Sequence, residues 1–538
     1  MVWNMKRKLA TLLLTVCMAV TACGQTEETE TKTENRQVEK ADGDTETKVE
    51  ISYETESEAV TAADGNEISY YDYSYPVVIV KGNEEASNEI ANEQKKRRES
   101  FMEDLVLIQE DAEFAYGELE DAESKESFQS YGAFGSYAEK RVDENVISLS
   151  YMEWCYQGGA HDNSYMIGIN YDVKTGKLLT FEDIFKDKKK GVAQVKENIL
   201  EQCKVPYYSE KLFDGYEEEI DSVITDEYWY LTKEGMHIIS NEYMLSSYAT
   251  GCFEFIIPYD ELTELKEEYQ QISTYIYPVI NGNSVEADLD SDGQTEQICY
   301  NVISTEIVEN EGTEEEFLYE SLESSLKINE DDFGAQFIEL TGYIPENISD
   351  HYYLVDLDKN DKYIEIAVSD YGVNDYCVTY FIRYDKGELK YLGYVSDMIE
   401  NQSCVLLGDG TLNAEIHSEL METARFGAGY YLDGETLTQK EQDWYYYDRT
   451  NWPEEYMKHN VLKEVTVYTS NDISSEKKVL TPADGPVTFP ATDNKNWVQV
   501  KTASGETYYL YMEGMTEINS DGVMEDAVEV FENLMLAG

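Results

Sequence analysis

The chain has 538 residues, more than a single typical hydrophobic core contains, so we expect two or three domains. It carries 110 acidic and 41 basic residues, a formal net charge of −69. This balance argues against nucleic-acid binding, which needs Lys and Arg on phosphates, and against lying on an anionic lipid surface. It favours cationic partners and divalent ions through electrostatic steering, although solubility alone accounts for most of the charge.

The N-terminus has the pattern of a signal peptide. Basic residues 6–8 precede an apolar stretch over residues 9–20, which has the length of a signal-peptide core and is too short to span a membrane. Small residues then precede Cys23, and this run resembles the lipobox of bacterial lipoproteins. The resemblance implies a signal peptide over residues 1–22 and a lipidated, palmitate-bearing Cys23 that anchors the chain to the extracytoplasmic face of the cell membrane. The alternative is an ordinary secretory signal whose cysteine is incidental.

Residues 23–50 are almost free of apolar side chains, which predicts a disordered tether. An α+β domain is predicted over residues 51–273. Its pattern indicates extended chain at 51–80, a long helix at 84–118, strands at 146–151, 165–171 and within 229–257, and a closing helix at 260–271. Gly176 is predicted to take a positive φ in a tight turn, and Thr180 to open a helix through a capping box.

The rest of the chain is predicted to be mainly β. Strand-like runs alternate with acidic turns over residues 274–455. Five short strands then follow, at 464–468, 478–480, 487–489, 497–500 and 507–511, and they predict a small SH3-like β-barrel with a C-terminal helix over residues 456–538. The predicted fold class is therefore an α+β N-terminal module followed by a mainly-β part.

Several motifs of the α+β domain occur together in a known family. A Tyr-Gln-Gly-Gly-Ala-His element at 156–161 is followed by a Thr-Gly-Lys turn at 175–177 and by an Ile-Pro-Tyr-x-x-Leu ending at 257–262. Over residues 69–271 the chain resembles the paired extracellular domains of RsiV-type anti-sigma factors and of some peptidoglycan deacetylases. The resemblance implies a receptor-like module, which in the anti-sigma factors binds lysozyme. We expect neither a sigma-binding segment nor a deacetylase domain here, so neither activity is carried over.

The glycine-rich element offers a weak candidate ligand site. Gly158 and Gly159 allow a close-approach turn after a strand, and His161 can donate a hydrogen bond to a ligand or act as an acid or base. The alternative is a structural turn with a satisfied histidine.

Two acidic loops resemble those of FG-GAP or VCBS-type repeats. The first offers oxygens from Asp288, Asp290, Asp292, Gln294 and Glu296, in the number and spacing that calcium prefers. Cys299 stands where an EF-hand has its bidentate glutamate, so an EF-hand is excluded. The second loop offers Asp356, Asp358, Asn360 and Glu365. These loops, with a third turn at 408–410, predict three blade-like units, too few for a closed propeller, with structural calcium as cofactor. The alternative is ordinary acidic turns.

No catalytic constellation is recognisable, because the five histidines are dispersed, so we do not predict an enzyme. The six cysteines after Cys23 fit either disulfides or buried thiols. The predicted function is an anchored extracytoplasmic protein that binds or senses a cationic, lysozyme-like protein or an envelope glycan. The alternatives are a cell-wall-modifying hydrolase or deacetylase-associated enzyme, and a calcium-stiffened structural surface protein.

Overall fold

A computed structural model describes residues 49–270, 276–309, 318–343, 347–372, 376–447 and 457–536, with the side chains of 122–123 and 303–323 left undescribed. The predicted signal peptide, Cys23 and nearly all of the predicted tether lie outside these residues. Among the described residues, no helix is both long enough and apolar enough to cross a membrane.

The N-terminal unit is a five-stranded sheet covered by one long helix. Its strands lie in the order β1-β2-β3-β4-β5. They are β1 (Val49–Thr61), β2 (Glu67–Val80), β3 (Tyr131–Val142), β4 (Val146–Tyr156) and β5 (Asn163–Asp172), with helix α1 (Glu84–Gly117) and the short helix α2 (Ala122–Glu126) between β2 and β3. Because α1 crosses over the sheet, β2 and β3 pair in parallel, whereas the other neighbours are antiparallel.

Helix α1 confirms the predicted helical periodicity. Asn83 caps its start by accepting a hydrogen bond from the Ala86 backbone N–H at 3.2 Å. Its apolar stripe, which includes Phe101 and Leu105, is buried against the sheet, where the Tyr73 ring stacks on Phe101 with 4.5 Å between ring centroids. The opposite face is mostly charged but also exposes several apolar side chains, so the helix owes its position to the packing of the buried stripe.

The next unit combines short helices with a three-stranded antiparallel sheet. Its elements are α3 (Phe181–Ile184), α4 (Lys188–Gln202), α5 (Pro206–Ser209), α6 (Tyr216–Glu219), β6 (Trp229–Leu231), β7 (Gly235–Ser240) and β8 (Phe253–Pro258). The predicted capping box at Thr180 and the positive φ of Gly176 are both present. Gly168 of β5 lies directly against the Trp229 backbone, where a Cβ would come within 1.7 Å of the carbonyl oxygen. The two sheets therefore make close backbone contact at Gly168.

The predicted closing helix at 260–271 is wrong. The chain forms two short 3-10 turns, Tyr259–Glu261 and Glu267–Tyr269. Between them the backbone bonds outwards: the Lys186 N–H donates to the Glu264 carbonyl at 2.8 Å, and the Lys266 N–H donates to the Ile184 carbonyl at 3.0 Å. In an α-helix these backbone groups would bond within the helix. Their hydrogen bonds to the α3 segment therefore prevent a helix over 260–271.

The middle of the chain forms three consecutive four-stranded antiparallel meanders. The first has the order β10-β11-β12-β13, the second β17-β16-β15-β14 with β9 added beside β14, and the third β18-β19-β20-β21. The strands are β9 (Ile276–Ile280), β10 (Ser284–Ala287), β11 (Glu296–Glu309), β12 (Leu318–Ile328), β13 (Asp331–Asp332), β14 (Ile348–Val355), β15 (Glu365–Asp370), β16 (Val378–Asp385), β17 (Glu388–Val395), β18 (Val405–Leu406), β19 (Thr411–Ser418), β20 (Ala424–Asp433) and β21 (Thr436–Gln439). Helix α7 (Gly334–Thr341), which the sequence pattern did not indicate, follows β13. Three strand-rich units are present as predicted, whereas propeller geometry stays a prediction.

The C-terminal strands form an open sheet. Their order is β22-β26-β27-β28-β23-β24, with β25 beside β27, and no described pairing joins the two ends. They are β22 (Tyr445–Tyr446), β23 (Val465–Tyr468), β24 (Lys477–Leu480), β25 (Val487–Thr488), β26 (Ala491–Thr492), β27 (Trp497–Thr502) and β28 (Thr507–Tyr511), followed by the hairpin β29 (Glu517–Ser520) and β30 (Val523–Asp526) and by α8 (Ala527–Val530). All five predicted strands are confirmed. The closed SH3-like barrel is not, because β23 lies between β28 and β24 and the described strands leave two free edges.

Candidate functional site

A row of aromatic side chains crosses the face of the first sheet opposite α1. The rings of Tyr70 and Phe134 lie 5.4 Å apart between centroids, and those of Phe134 and Trp154 lie 5.0 Å apart. All three side chains are half-buried. They share a face because Phe134 pairs with Trp154 across β3 and β4, and because Asp72, two residues after Tyr70 on β2, pairs with Phe134.

Gly132 makes room for this row. A Cβ at that position would come within 2.6 Å of the Tyr70 ring. Beside the row, the partly buried Asp72 has a raised pKa because burial disfavours its charged form. The face therefore combines flat apolar rings with a carboxylate.

The loop between β4 and β5 brings the predicted weak ligand residues to the edge of this row. Gly158 and Gly159, where the sequence predicted a close-approach turn, have positive φ values of 81° and 99°. A side chain at Gly158 would also clash with the Tyr131 hydroxyl, because its Cβ would lie 2.6 Å away. His161 is exposed, and its Nδ1 lies 2.7 Å from the Asp162 backbone oxygen.

Asp162 connects the two N-terminal units. One carboxylate oxygen accepts a hydrogen bond from the Trp154 indole N–H, and the other accepts one from the Tyr248 hydroxyl at 2.5 Å. Burial and this bond to Asp162 raise the pKa of Tyr248. The His161 ring stacks on Tyr248 with 4.0 Å between centroids, and Tyr243, which is 58% exposed, lies 6.1 Å beyond it.

These residues form one continuous surface, which we call the aromatic–carboxylate surface. Its members are Tyr70, Asp72, Phe134, Trp154, His161, Asp162, Tyr243 and Tyr248. The sequence indicated only the glycine turn and His161. Tyr248 lies 86 residues after Asp162, and no local pattern links the two. Aromatic faces beside carboxylates can receive cationic side chains through cation–π and ionic contacts, or the flat faces of sugar rings.

The first acidic loop brings three of its predicted ligands together. One carboxylate oxygen from each of Asp288, Asp290 and Asp292 lies within 4.8 Å of the other two, the one such acidic, histidine or cysteine group among the described residues. Gln294 instead donates its amide N–H to Asp292 at 3.1 Å, and Glu296 accepts the Leu289 backbone N–H at 2.9 Å.

The carboxylates of this loop repel one another. Burial raises the pKa of Glu296, and the nearby charges of Asp288, Asp290 and Asp292 raise it further. A divalent cation would relieve this repulsion. The three carboxylates, in a loop turned by the positive φ of Gly293, fit a hard ion with oxygen ligands.

The second acidic loop contains its own cation. The Arg383 guanidinium donates to Asp361 at 2.8 Å and to the fully buried Glu365, with Nε at 2.8 Å and Nη2 at 2.5 Å. Asp358 caps its own loop by accepting the Asn360 backbone and side-chain N–H groups at 3.0 and 2.9 Å. Among the described residues, Asp356, Asp358 and Glu365 are not brought together as a group of acidic ligands, and calcium at this loop stays a prediction.

Equivalent positions in the three meanders are linked. The two loops and the 408–410 turn each connect the first two strands of a meander. The Ile364 N–H donates to the Leu289 carbonyl at 3.0 Å, and the Gly410 N–H donates to the Leu357 carbonyl at 2.8 Å. The loops thus form a hydrogen-bonded series. Elsewhere, the six described cysteines form no disulfide with one another, and Cys203, Cys377 and Cys404 are buried.

The fold and this surface define a strand-rich protein whose two N-terminal units share the aromatic–carboxylate surface. Residues 62–164 match the profile of the family described as "Deacetylase PdaC", and residues 182–260 match that of "Protein of unknown function (DUF3298)". The first segment contains β2 to β4 of the first sheet and the second contains β6 to β8. This pairing is consistent with the predicted resemblance to the paired domains of RsiV-type anti-sigma factors and peptidoglycan deacetylases. No match is found among curated proteins.

Two solved structures are similar to part of the chain. One is a DUF3298 family member from Bacteroides fragilis NCTC 9343, with 17% identity and a TM-score of 0.31, covering 41% of this chain and 94% of its own. The other is a DUF3298 family protein from Pseudomonas aeruginosa PAO1, with 12% identity and a TM-score of 0.30, covering 41% of this chain and 95% of its own.

Proposed function

We propose that this protein is an extracytoplasmic binding or sensing lipoprotein that receives a cationic, lysozyme-like protein on the aromatic–carboxylate surface. The observation that carries the proposal is Asp162, which holds Trp154 and Tyr248 from two different units as parts of one surface. The pairing of PdaC-like and DUF3298-like segments suggests a protein of the cell wall or envelope. Attachment to the membrane through Cys23 belongs to this proposal.

Charge favours a cationic protein as the ligand. The chain has a net charge of −69, and the surface includes the carboxylates of Asp72 and Asp162. Long-range attraction would steer a basic protein towards the chain, and the rings would then accept its Lys or Arg side chains. An envelope glycan is the second candidate, because half-exposed rings at Tyr70, Phe134 and Trp154 can stack on sugars. The alternative of a cell-wall-modifying enzyme rests only on the name of the PdaC family.

A pull-down with the full-length chain compares the two ligands. Immobilised lysozyme and purified peptidoglycan are incubated with wild type, with His161→Ala and with Tyr446→Ala. Tyr446 is a matched control because it is a 68% exposed aromatic residue outside the surface. We expect retention on lysozyme at about micromolar concentration, weakened by His161→Ala alone. Retention only on peptidoglycan would favour the glycan, and no retention on either would refute the proposal.

We also propose that the three meanders form a partial, propeller-like spacer, stiffened by one calcium ion at Asp288, Asp290 and Asp292. The clustered carboxylates and the raised pKa of Glu296 support this site. When bound, calcium would stiffen the first loop, which is already hydrogen-bonded to the second through the Leu289 carbonyl. A rise in melting temperature with calcium, reversed by chelator, is the expected result.

A further inference from the structure

A buried polar joint lies between the DUF3298-like sheet and strand β14. The Lys233 ammonium, in the turn before β7, donates to the backbone carbonyls of Asn401 and Cys404. Nearby, the Tyr207 hydroxyl donates to Asp350 on β14. These contacts join the N-terminal half of the chain to the second meander.

His237 lies in this joint between two carboxylates. Its Nδ1 is 2.8 Å from Glu254, and its Nε2 is 3.8 Å from Glu234. The imidazole is stacked on Tyr230 with 4.8 Å between centroids, and the Tyr230 hydroxyl donates to Glu254 at 2.5 Å. Side-chain exposure is only 10% for His237 and 2% for Glu234. If His237 were neutral, two carboxylates in low-dielectric surroundings would lose the positive charge between them.

Other elements add polar groups to the same space. His351 and Tyr353 project from β14, Glu400 follows β17, and the Lys140 ammonium lies 5.0 Å from the Tyr230 ring centroid. Five buried atoms have no hydrogen-bond partner among the described residues: Glu234 Oε1, His237 Nε2, His351 Nε2, the Tyr353 hydroxyl and Glu400 Oε2. Such groups make a joint sensitive to its protonation state.

The charge balance of the joint depends on His237. Burial and the neighbouring His237 charge lower the pKa of His351 to about 3, so His351 stays neutral. Burial raises the pKa of Glu400. The joint does not contain a metal-ligand group, since the one such group among the described residues is in the 288–292 loop.

We propose that this joint is proton-linked: with a proton on both ring nitrogens of His237 the DUF3298-like sheet stays docked on β14, and loss of one proton loosens the contact. Burial alone would lower the pKa of His237, but the hydrogen bond to Glu254 and the negative charges of Glu254 and Glu234 raise it above its ordinary value of 6.5. The stabilisation is therefore complete below the ordinary pKa and is lost as pH rises through the raised one.

Glu254, the hydrogen-bonded carboxylate partner of His237, sets the lower limit of the pH range in which the joint is stable. Burial alone would raise the pKa of Glu254, but the hydrogen bond and charge of His237 lower it to about 2. Its contribution is lost only as pH falls towards that value. The joint should therefore be tightest in mildly acidic solution. This inference does not depend on the ligand proposed for the aromatic–carboxylate surface.

Native-state hydrogen exchange of the full-length chain tests the proposal. Exchange, corrected for intrinsic rates, is followed in peptides covering β7 (Gly235–Ser240) and β14 (Ile348–Val355) between about pH 5.5 and 8.5, a range that spans histidine titration. Peptides from β27 (Trp497–Thr502) serve as internal reference. We expect the opening equilibrium of β7 and β14, but not of β27, to rise by up to about tenfold for each unit by which the His237 pKa is raised.

Two variants and one further measurement separate the outcomes. His237→Gln should remove the pH dependence, whereas His161→Gln, at an exposed histidine outside the joint, should retain it. If His237→Gln does not fold, the imidazole of His237 is titrated by NMR in the wild type, where a pKa above 6.5 is expected. Equal pH dependence in all three peptides, or a His237 pKa at or below the ordinary value, would overturn the proposal.

Discussion

Replacing Asp162 by alanine removes the carboxylate that joins the two N-terminal units at the proposed binding surface. Two hydrogen bonds are lost, from the Trp154 indole and the Tyr248 hydroxyl. A hydrogen bond to a charged group contributes about 1.5–3 kcal/mol when buried. Because Asp162 is half-buried and water can replace it, we expect the free energy of unfolding to fall by about 1–2 kcal/mol in total.

In the Asp162→Ala variant the binding free energy should fall by more than the free energy of unfolding, because Trp154 and Tyr248 would no longer be held in one arrangement. Calorimetry with lysozyme measures the affinity, and chemical denaturation measures the stability. Asp162→Asn is the matched control, since it keeps one acceptor but loses the charge. We expect Asn to weaken binding mainly at low salt and Ala to weaken it at all salt concentrations. Unchanged affinity in both variants would refute the reasoning.

Three further predictions concern the rest of the fold. Calcium at a hundredfold excess over its Kd should stabilise the wild type by about 2.7 kcal/mol and raise its melting temperature. Asp290→Ala should abolish this rise, as measured by calorimetry with and without chelator. Arg383→Met should lower the free energy of unfolding by about 3–5 kcal/mol, because Glu365 would remain buried without its cation, whereas a loss under about 1 kcal/mol in urea denaturation would contradict the internal-cation interpretation. Gly168→Ala should lower the free energy of unfolding by about 1–3 kcal/mol, because its Cβ would overlap the Trp229 carbonyl at the contact between β5 and β6. An unchanged urea midpoint would contradict this.

Local sequence pattern was sufficient where a structural feature depends on near neighbours. The stripe of Phe101 and Leu105 predicted α1, and the five alternating runs after residue 463 predicted the C-terminal strands. The positive φ of Gly176 followed from its turn in the same way. Each of these features is fixed by periodicity or by a turn of a few residues.

Sequence pattern failed where distant backbone or side-chain groups compete. The few apolar residues of segment 260–271 follow a helical spacing, but backbone carbonyl and N–H groups of the segment bond to the chain near Ile184. The second acidic loop begins with the same Asp-Leu-Asp run as the first, yet Arg383, on β16, supplies a positive charge to its Asp361 and Glu365. At the candidate site, the sequence indicated His161 but not Tyr248, because only the docking of the two units brings them together.

The central claim is that the aromatic–carboxylate surface binds a lysozyme-like protein, and titration calorimetry of lysozyme into the full-length chain tests it most directly. Wild type, Trp154→Ala and the exposed-aromatic control Tyr446→Ala are compared at physiological salt. Trp154 lies at the centre of the surface and donates to Asp162, so its loss should weaken binding by at least about 2 kcal/mol, or roughly thirtyfold. Tyr446→Ala should bind like wild type. Equal affinity of Trp154→Ala and wild type, or no binding by wild type at all, would contradict the account.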